Sequence, residues 1–337
     1  MAVAVATIFG MGIVITKPAL DHFPPMFLLG MRFGFSAAIL VWFFRPPWAD
    51  MKNIFFASLI GSTLMYGLMF NGLKLIDASL MVIVVQLQVP FASLLAWFSF
   101  KERLGWQRAL GIALAFTGVI VIAGSPKEES ALTGISLVVA GAFVWALGQM
   151  LFKRLSGMGG LRLITWVAVM AGSQLLLCSW ILEDGQLEAV STATSTHWLT
   201  VAYLVLVMTV IGYSCWYFLL ARYGINQVVP FLFLEPLSAV AGGVLLLGEV
   251  LSPNRLLGGV AVLSGVALST FLNRPNGKNI LRSLSGRNNR GQGEISYTTS
   301  TPNCSAVSNN TSQQVSANPL GRKSSNPCSE RHKATAT

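Results

Sequence analysis

Read for its apolar and polar positions, the chain is a succession of long hydrophobic runs separated by short stretches of charge, proline and glycine. Ten runs of near membrane length fall at about 2 to 20, 25 to 44, 53 to 73, 79 to 100 and 105 to 123, then at about 132 to 152, 162 to 182, 198 to 220, 227 to 248 and 253 to 272. A hydrocarbon core about 30 Å thick is crossed by roughly 20 apolar residues in a helix. Buried helices of a soluble protein would need polar faces that these runs lack, and barrel strands would be about half as long and would alternate. The first run has no basic flank of the kind a cleaved signal peptide carries, and it is read as a helix.

Composition agrees with this pattern. Hydrophobic residues make up 53% of the chain and charged residues 11%, with a mean hydropathy of +0.63. These values belong to a membrane protein rather than a soluble domain of this size. The net charge of +10 acquires meaning once it is distributed. With the N-terminus inside, cytoplasmic loops carry Arg45, Lys52, Lys101, Arg103, Lys153 and Arg154 among others, whereas outer loops carry Asp21, Asp77, Glu183, Asp184 and Glu188. That asymmetry is the positive-inside bias and predicts both termini in the cytoplasm. The positive charge is therefore a topology signal and not a nucleic-acid footprint. Residues 273–337, rich in Asn, Ser, Thr and Gly, lack apolar periodicity and are expected to form a disordered basic tail.

One stretch is written twice. ERLGWQRALGIALAFTG, from Glu102 to Gly118, shares its spacing with EVLSPNRLLGGVAVLSG, from Glu249 to Gly265, at a distance of 249 − 102 = 147 residues. Upstream, Phe9 and Lys17 in FGMGIVITK are echoed by Trp145 and Lys153 in WALGQMLFK. The expected organisation is a repeat over 1–124, a second over 125–272, and the tail. Five spans is an odd number, so the second copy enters the membrane in the opposite sense. Inverted repeats of this kind build secondary transporters with a site at the repeat interface near the midplane. The predicted fold is thus all-α, ten transmembrane helices in two inverted five-helix repeats. Gly111 and Gly118, and likewise Gly258 and Gly265, form small-residue stripes suited to close helix packing. Glu102 and Glu249 sit where one helix ends and another is about to begin, and are read as interfacial charges of the repeat.

Taken together, the duplicated glutamate–glycine pattern, the two openings, LGMRFGFSAAIL, QLQVPFASLLAWFSFKERL, IGYSCWYFLLARYG and LEPLSAVAGGVLLLGEVL resemble the EamA-domain carriers of the drug/metabolite transporter superfamily. Within it the likeness points to exporters of O-acetylserine and cysteine. The resemblance spans about residues 5 to 272. It implies ten helices, two EamA repeats, and efflux of amino-acid-like metabolites or drugs across the bacterial inner membrane. The family's opening usually has Trp where Phe9 stands and often Asn where Gly12 stands.

Candidate transport residues are the polar groups inside the apolar runs. Arg32 and Glu235 each cost about 2.5 to 3.5 kcal/mol to insert and lie at similar depth, which makes them candidate partners. Glu235 is open to two readings, a site for a proton or a substrate ammonium group and half of a structural ion pair with Arg32. Gln86 and Gln88 follow, two residues apart and hence on roughly opposite faces of a regular helix. Pro90, Pro230 and Pro236 are expected to kink their helices and free backbone carbonyls. Trp145 with Gln149, and Tyr213 with Trp216 and Tyr217, share helix faces and are candidate walls of a pocket. Lys17 and Lys153 are expected to snorkel.

The expected partners are a small-molecule substrate, protons as a coupling ion, and the bilayer. No cofactor or metal is implied. His22 and His197 are expected in outer loops and His332 in the tail, outside the apolar runs, and neither HExxH nor a phosphate-binding loop occurs, which argues against a membrane protease and a nucleotide-driven pump. A channel and carriers of drugs or other metabolites remain open alternatives.

Overall fold

A computed structural model describes residues 1–100, 105–124, 129–223, 228, 231 and 233–271. The sequence-predicted Glu102, Pro230 and the tail 273–337 lie outside the described residues. Everything described falls in one unit, Met1–Pro275. Among these residues the structure is helical, with no strand.

Eight helices are long and apolar enough to cross a membrane by length and composition: Ala2–Ala19, Pro25–Phe43, Trp48–Leu75, Ala78–Ser99, Trp106–Ala123, Ser130–Arg154, Gly160–Leu182 and Ser195–Leu219. Two more helices lie in the expected ninth and tenth runs: the shorter apolar Leu234–Leu247 and the 19-residue Pro253–Phe271. Their outward faces are apolar. Trp42, Phe98, Ile120 and Leu245 are each more than two-thirds exposed, an arrangement that suits lipid and is costly in water.

The helices that position the site are α1 (Ala2–Ala19), α2 (Pro25–Leu40), α3 (Met51–Ser58), α4 (Met65–Leu75), α5 (Ala78–Val85), α6 (Gln88–Phe100), α7 (Trp106–Ala123), α8 (Glu129–Arg154), α9 (Gly160–Leu182), α10 (Gln186–Ser191), α11 (Ser195–Ala202), α12 (Tyr213–Tyr223), α13 (Leu234–Leu247) and α14 (Pro253–Phe271). Two of the expected runs are not uniform helices. A π-helix, Leu59–Leu64, joins α3 to α4, and a second, Tyr203–Gly212, joins α11 to α12. Each widens the helical turn and displaces the normal i to i−4 ladder, a device often found at functional sites.

Packing follows the small residues. Along α7 and α14, a Cβ placed on Gly111 would meet the Gly265 carbonyl oxygen at 2.6 Å, and one on Gly118 the Gly258 oxygen at 2.6 Å. The two glycine stripes therefore face each other, backbone against backbone, and a larger side chain at any of the four positions would force the helices apart. Elsewhere α2 packs on α9, α4 on α8, and α1 on α13. The main core is built from Leu, Val, Ile, Met and Ala on the inner faces of these helices, with the central α5 buried at every position from Ala78 to Val85.

The run around Gln86 breaks rather than bends. Gln86 and Leu87 close tighter turns, their N–H groups donating to the Ile83 and Val84 carbonyls at 3.2 and 3.1 Å, and α6 restarts at Gln88. Pro90 is the third residue of that new helix, where its missing N–H leaves no ladder bond unmade. The Gln86 carbonyl accepts from Val89 N–H at 3.1 Å. Pro236 is likewise third in α13, so the expected kink is corrected to a first-turn position.

Candidate functional site

The chemistry inside this apolar body gathers at the middle of α2. Arg32 is 0% exposed, the largest side chain so deeply buried. Its Nε donates to Thr209 Oγ1 at 3.0 Å, and Thr209 in turn donates to the Leu204 carbonyl at 2.8 Å inside the π-helix Tyr203–Gly212. That carbonyl is five residues back, the spacing of π-helical geometry. The guanidinium carbon lies 5.2 Å from the Phe33 ring centroid and 5.7 Å from that of Tyr66. Aromatic faces stabilise a cation by about 0.5–1 kcal/mol at exposed sites and about 2 or more when desolvated. They do not replace hydrogen bonds. Among the described residues Arg32 Nη1 and Nη2 have no hydrogen-bond partner.

Tyr66 stands just after the first π-helix and Tyr213 just after the second. Tyr213 lies within electrostatic reach of both Tyr66 and Arg32. Phe9 of α1 packs on Tyr213 with ring centroids 5.2 Å apart, and Phe33 packs on Tyr66 at 5.3 Å. The result is one guanidinium, two phenols and two phenyl rings at the meeting point of α1, α2, α4 and α12. Sequence reasoning missed Tyr66. The signal was available, since 213 − 66 = 147 is the repeat distance of the two glutamates.

The other sequence-predicted residues are dispersed. No ion pair joins Arg32 and Glu235 among the described residues, which corrects the expected partnership: Arg32 reaches Thr209 instead. Glu235 lies in the first turn of α13, whose backbone presses on Gly10 of α1. Gln86 is buried and Gln88 half-buried. Trp145 packs against the main core while Gln149 is exposed. Trp216 joins a satellite cluster around Val5, Leu219 and Val228, and Tyr217 lies against Gly160.

A second polar system ties helices together at one end of the bundle. Glu249 Oε1 accepts from the Ala78 N–H at 2.7 Å, and Oε2 accepts from the Ser79 N–H at 3.0 Å and from the Ser79 hydroxyl. A carboxylate on the first N–H groups of α5 satisfies orphan donors and the positive end of the helix dipole together. Arg255 and Asp77 form an ion pair beside it. Lys17 does not snorkel; its Nζ donates to the Leu73 and Lys74 carbonyls at 2.7 and 3.1 Å, closing the end of α4. Glu183 does for α2 what Glu249 does for α5, accepting from Met26 and Phe27 N–H at 2.8 and 3.1 Å. Nearby, an open polar cavity of about 480 Å³ is lined by Asp21, His22, Lys74, Glu183, Asp184 and Glu188 together with their neighbours. Arg32 itself is fully buried, and this cavity lies at the tied end.

Comparison with known proteins gives this arrangement a lineage. The model of the EamA-like transporter family matches residues 1–124 and again 132–271. A "Probable amino-acid metabolite efflux pump" of Salmonella typhimurium is 32% identical over 280 residues, covering 80% of this chain and 94% of that protein. Its namesake in Escherichia coli is 30% identical over the same length and shares. A "Probable terminal-alkyne amino-acid exporter" of Streptantibioticus cattleyicolor is 28% identical over 225 residues, 66% of this chain and 74% of that one. One solved crystal structure superposes with a TM-score of 0.55 at 18% identity, covering 82% of this chain and 99% of its own, a likeness of fold. With two matches that together take in nearly all the described residues, and relatives at 30% identity or more along most of their length, the chain is a multi-pass membrane protein that belongs to the EamA-like transporter family.

Proposed function

We propose that this protein is a secondary transporter that exports small amino-acid-like metabolites, of the O-acetylserine and cysteine type, across the bacterial cytoplasmic membrane. The observation that carries the reading is the 32% identity to the Salmonella efflux pump across 94% of that protein. In this reading ten helices form two inverted five-helix repeats, 1–124 and 125–272, with both termini cytoplasmic. The two family matches at 1–124 and 132–271 support the division. So does the pairing of helices: α2 with α9 and α7 with α14 each join like positions of the two halves, while the packing of α4 on α8 is echoed by α12 and its π-helix against α1.

Two halves related by a twofold in the membrane plane move by rocking about the axis, which alternately opens each end. The polar cluster of Arg32, Tyr66, Tyr213 and Thr209 lies where the halves meet and is the substrate site. Gln86, with α5 broken from α6 beside it, borders the pathway. Glu249 on the start of α5 is the outer closure. Glu235, an acid inside an apolar helix, is the proton-coupling site, and export is driven by the proton gradient.

The test is overexpression in a bacterium lacking its own amino-acid exporters. Cells should survive higher doses of toxic cysteine and serine analogues and accumulate O-acetylserine or cysteine in the medium. Unchanged resistance and unchanged medium, with the protein present in the membrane, would reject the reading.

A further inference from the structure

Arg32 carries more polar capacity than its packing uses. The corresponding place in the second half shows what packing alone requires. There Gln174, in the middle of α9, meets Thr63 of the first π-helix, as Arg32 in α2 meets Thr209 of the second. Thr63 Oγ1 donates to Gln174 Oε1 at 2.7 Å, and Gln174 Nε2 donates to the Phe55 carbonyl at 3.2 Å. A neutral amide thus ties a helix to the π-helical segment and leaves neither end of its side chain unpartnered. Arg32 makes the equivalent tie through Nε alone, and its two terminal nitrogens, fully buried, bond to nothing among the described residues. Structure explains one of its polar atoms and leaves a full positive charge and two parallel donors over.

We infer that Arg32 is the receptor for the carboxylate of the transported molecule, which lies across Nη1 and Nη2 in a bidentate pair beneath the hydroxyls of Tyr66 and Tyr213. A guanidinium presents paired N–H donors in a plane that matches the two oxygens of a carboxylate. The charge favours a carboxylate over inorganic phosphate. One cation with one carboxylate is neutral, whereas a phosphate dianion would leave an uncompensated negative charge in an apolar interior. Phe9 and Phe33, which back the two tyrosines, give the site apolar walls. The assignment rests on the amino-acid-like cargo proposed above and names the group by which that cargo is held.

The experiment uses the full chain purified in detergent, with binding read from tryptophan fluorescence and folding from thermal melting. The probes are O-methylserine, its carboxamide, propionate and inorganic phosphate. The wild type should bind the acid at least tenfold more tightly than the amide, and propionate should compete where phosphate does not. In Arg32→Gln, which retains a donor for Thr209, the preference should fall below twofold. Arg32→Lys, with a point charge in place of the fork, should lose at least threefold of it, and this variant decides the matter if the glutamine form does not fold. A wild type blind to the difference between acid and amide would overturn the inference. So would either folded variant keeping the full preference, or phosphate displacing the acid better than propionate does. If acid binding depends on Arg32 while cells export nothing amino-acid-like, the receptor stands and the cargo reading falls. If cells export amino acids and the Arg32→Gln protein still selects acids, the cargo reading stands and the receptor falls.

Discussion

The structure gives Arg32 and Glu235, the two candidate charges of the transport pathway, unlike surroundings. Arg32 is held by one hydroxyl and two aromatic faces, and Glu235 has no ion-pair partner among the described residues. An uncompensated charge within the hydrocarbon costs several kcal/mol, so each is expected to meet its counter-charge or proton during turnover. For Glu235 the consequence is sharp. Glu235→Gln keeps the shape of the side chain and removes the titrating proton, so exchange of labelled substrate across vesicles should persist while concentrative export falls to background. Proteoliposomes with an imposed pH gradient separate the two measurements. Gradient-driven export by the Gln variant at the wild-type rate would remove Glu235 from the coupling step.

At the scale of elements, the informative contacts are carboxylates placed on helix starts. Glu249 is the second copy of a repeated glutamate, and sequence reasoning took it as an interfacial charge. Its reach to Ala78 and Ser79, 171 and 170 residues away, is a tertiary fact. Hydrogen bonds to a charged group contribute about 1.5–3 kcal/mol each. Removing this carboxylate should therefore destabilise the closed end by about 3 kcal/mol, a factor on the order of 100 in its ratio to the open form. Ser79→Cys provides a reporter: its labelling by a membrane-impermeant maleimide should rise steeply when Glu249→Ala is added and little when Glu249→Asp is. Equal labelling in all backgrounds would show that Glu249 does not hold that end shut.

The pairing of α7 with α14 was anticipated only in part. Both glycine stripes are visible in the sequence as close-packing surfaces, yet nothing in their spacing says that each is the other's partner. A stripe of small residues fits any helix smooth enough to approach it. The π-helices Leu59–Leu64 and Tyr203–Gly212 had no signature in the hydropathy of their runs, because widening a turn by one residue leaves the apolar character unchanged.

At the scale of the whole molecule, the family model matches the chain twice, and the proposed inversion makes a direct prediction. Reporter fusions at the loop near Lys101 and at the loop near Glu249 should fall on opposite sides of the membrane, the first cytoplasmic. A reporter fused after residue 272 should read as cytoplasmic. Reporters active on one common side would exclude an in-plane twofold and, with it, rocking as the transport motion.

Local composition was enough to establish that the chain crosses the membrane repeatedly as helices, since insertion depends on a sum of transfer energies over about 20 neighbouring residues. The internal echo and the family were also legible, as both are written in linear order. What pairs with a buried charge is not a local property. Arg32 was found by its rarity in an apolar run, but its expected partner Glu235 gave way to Thr209, because a hydrogen bond is decided within about 3 Å by which faces the folded helices turn toward each other. The two unshared nitrogens of Arg32, the clasp of Glu249 on a helix start 170 residues away, and the meeting of Tyr66 with Tyr213 came into being only when distant segments were brought into contact.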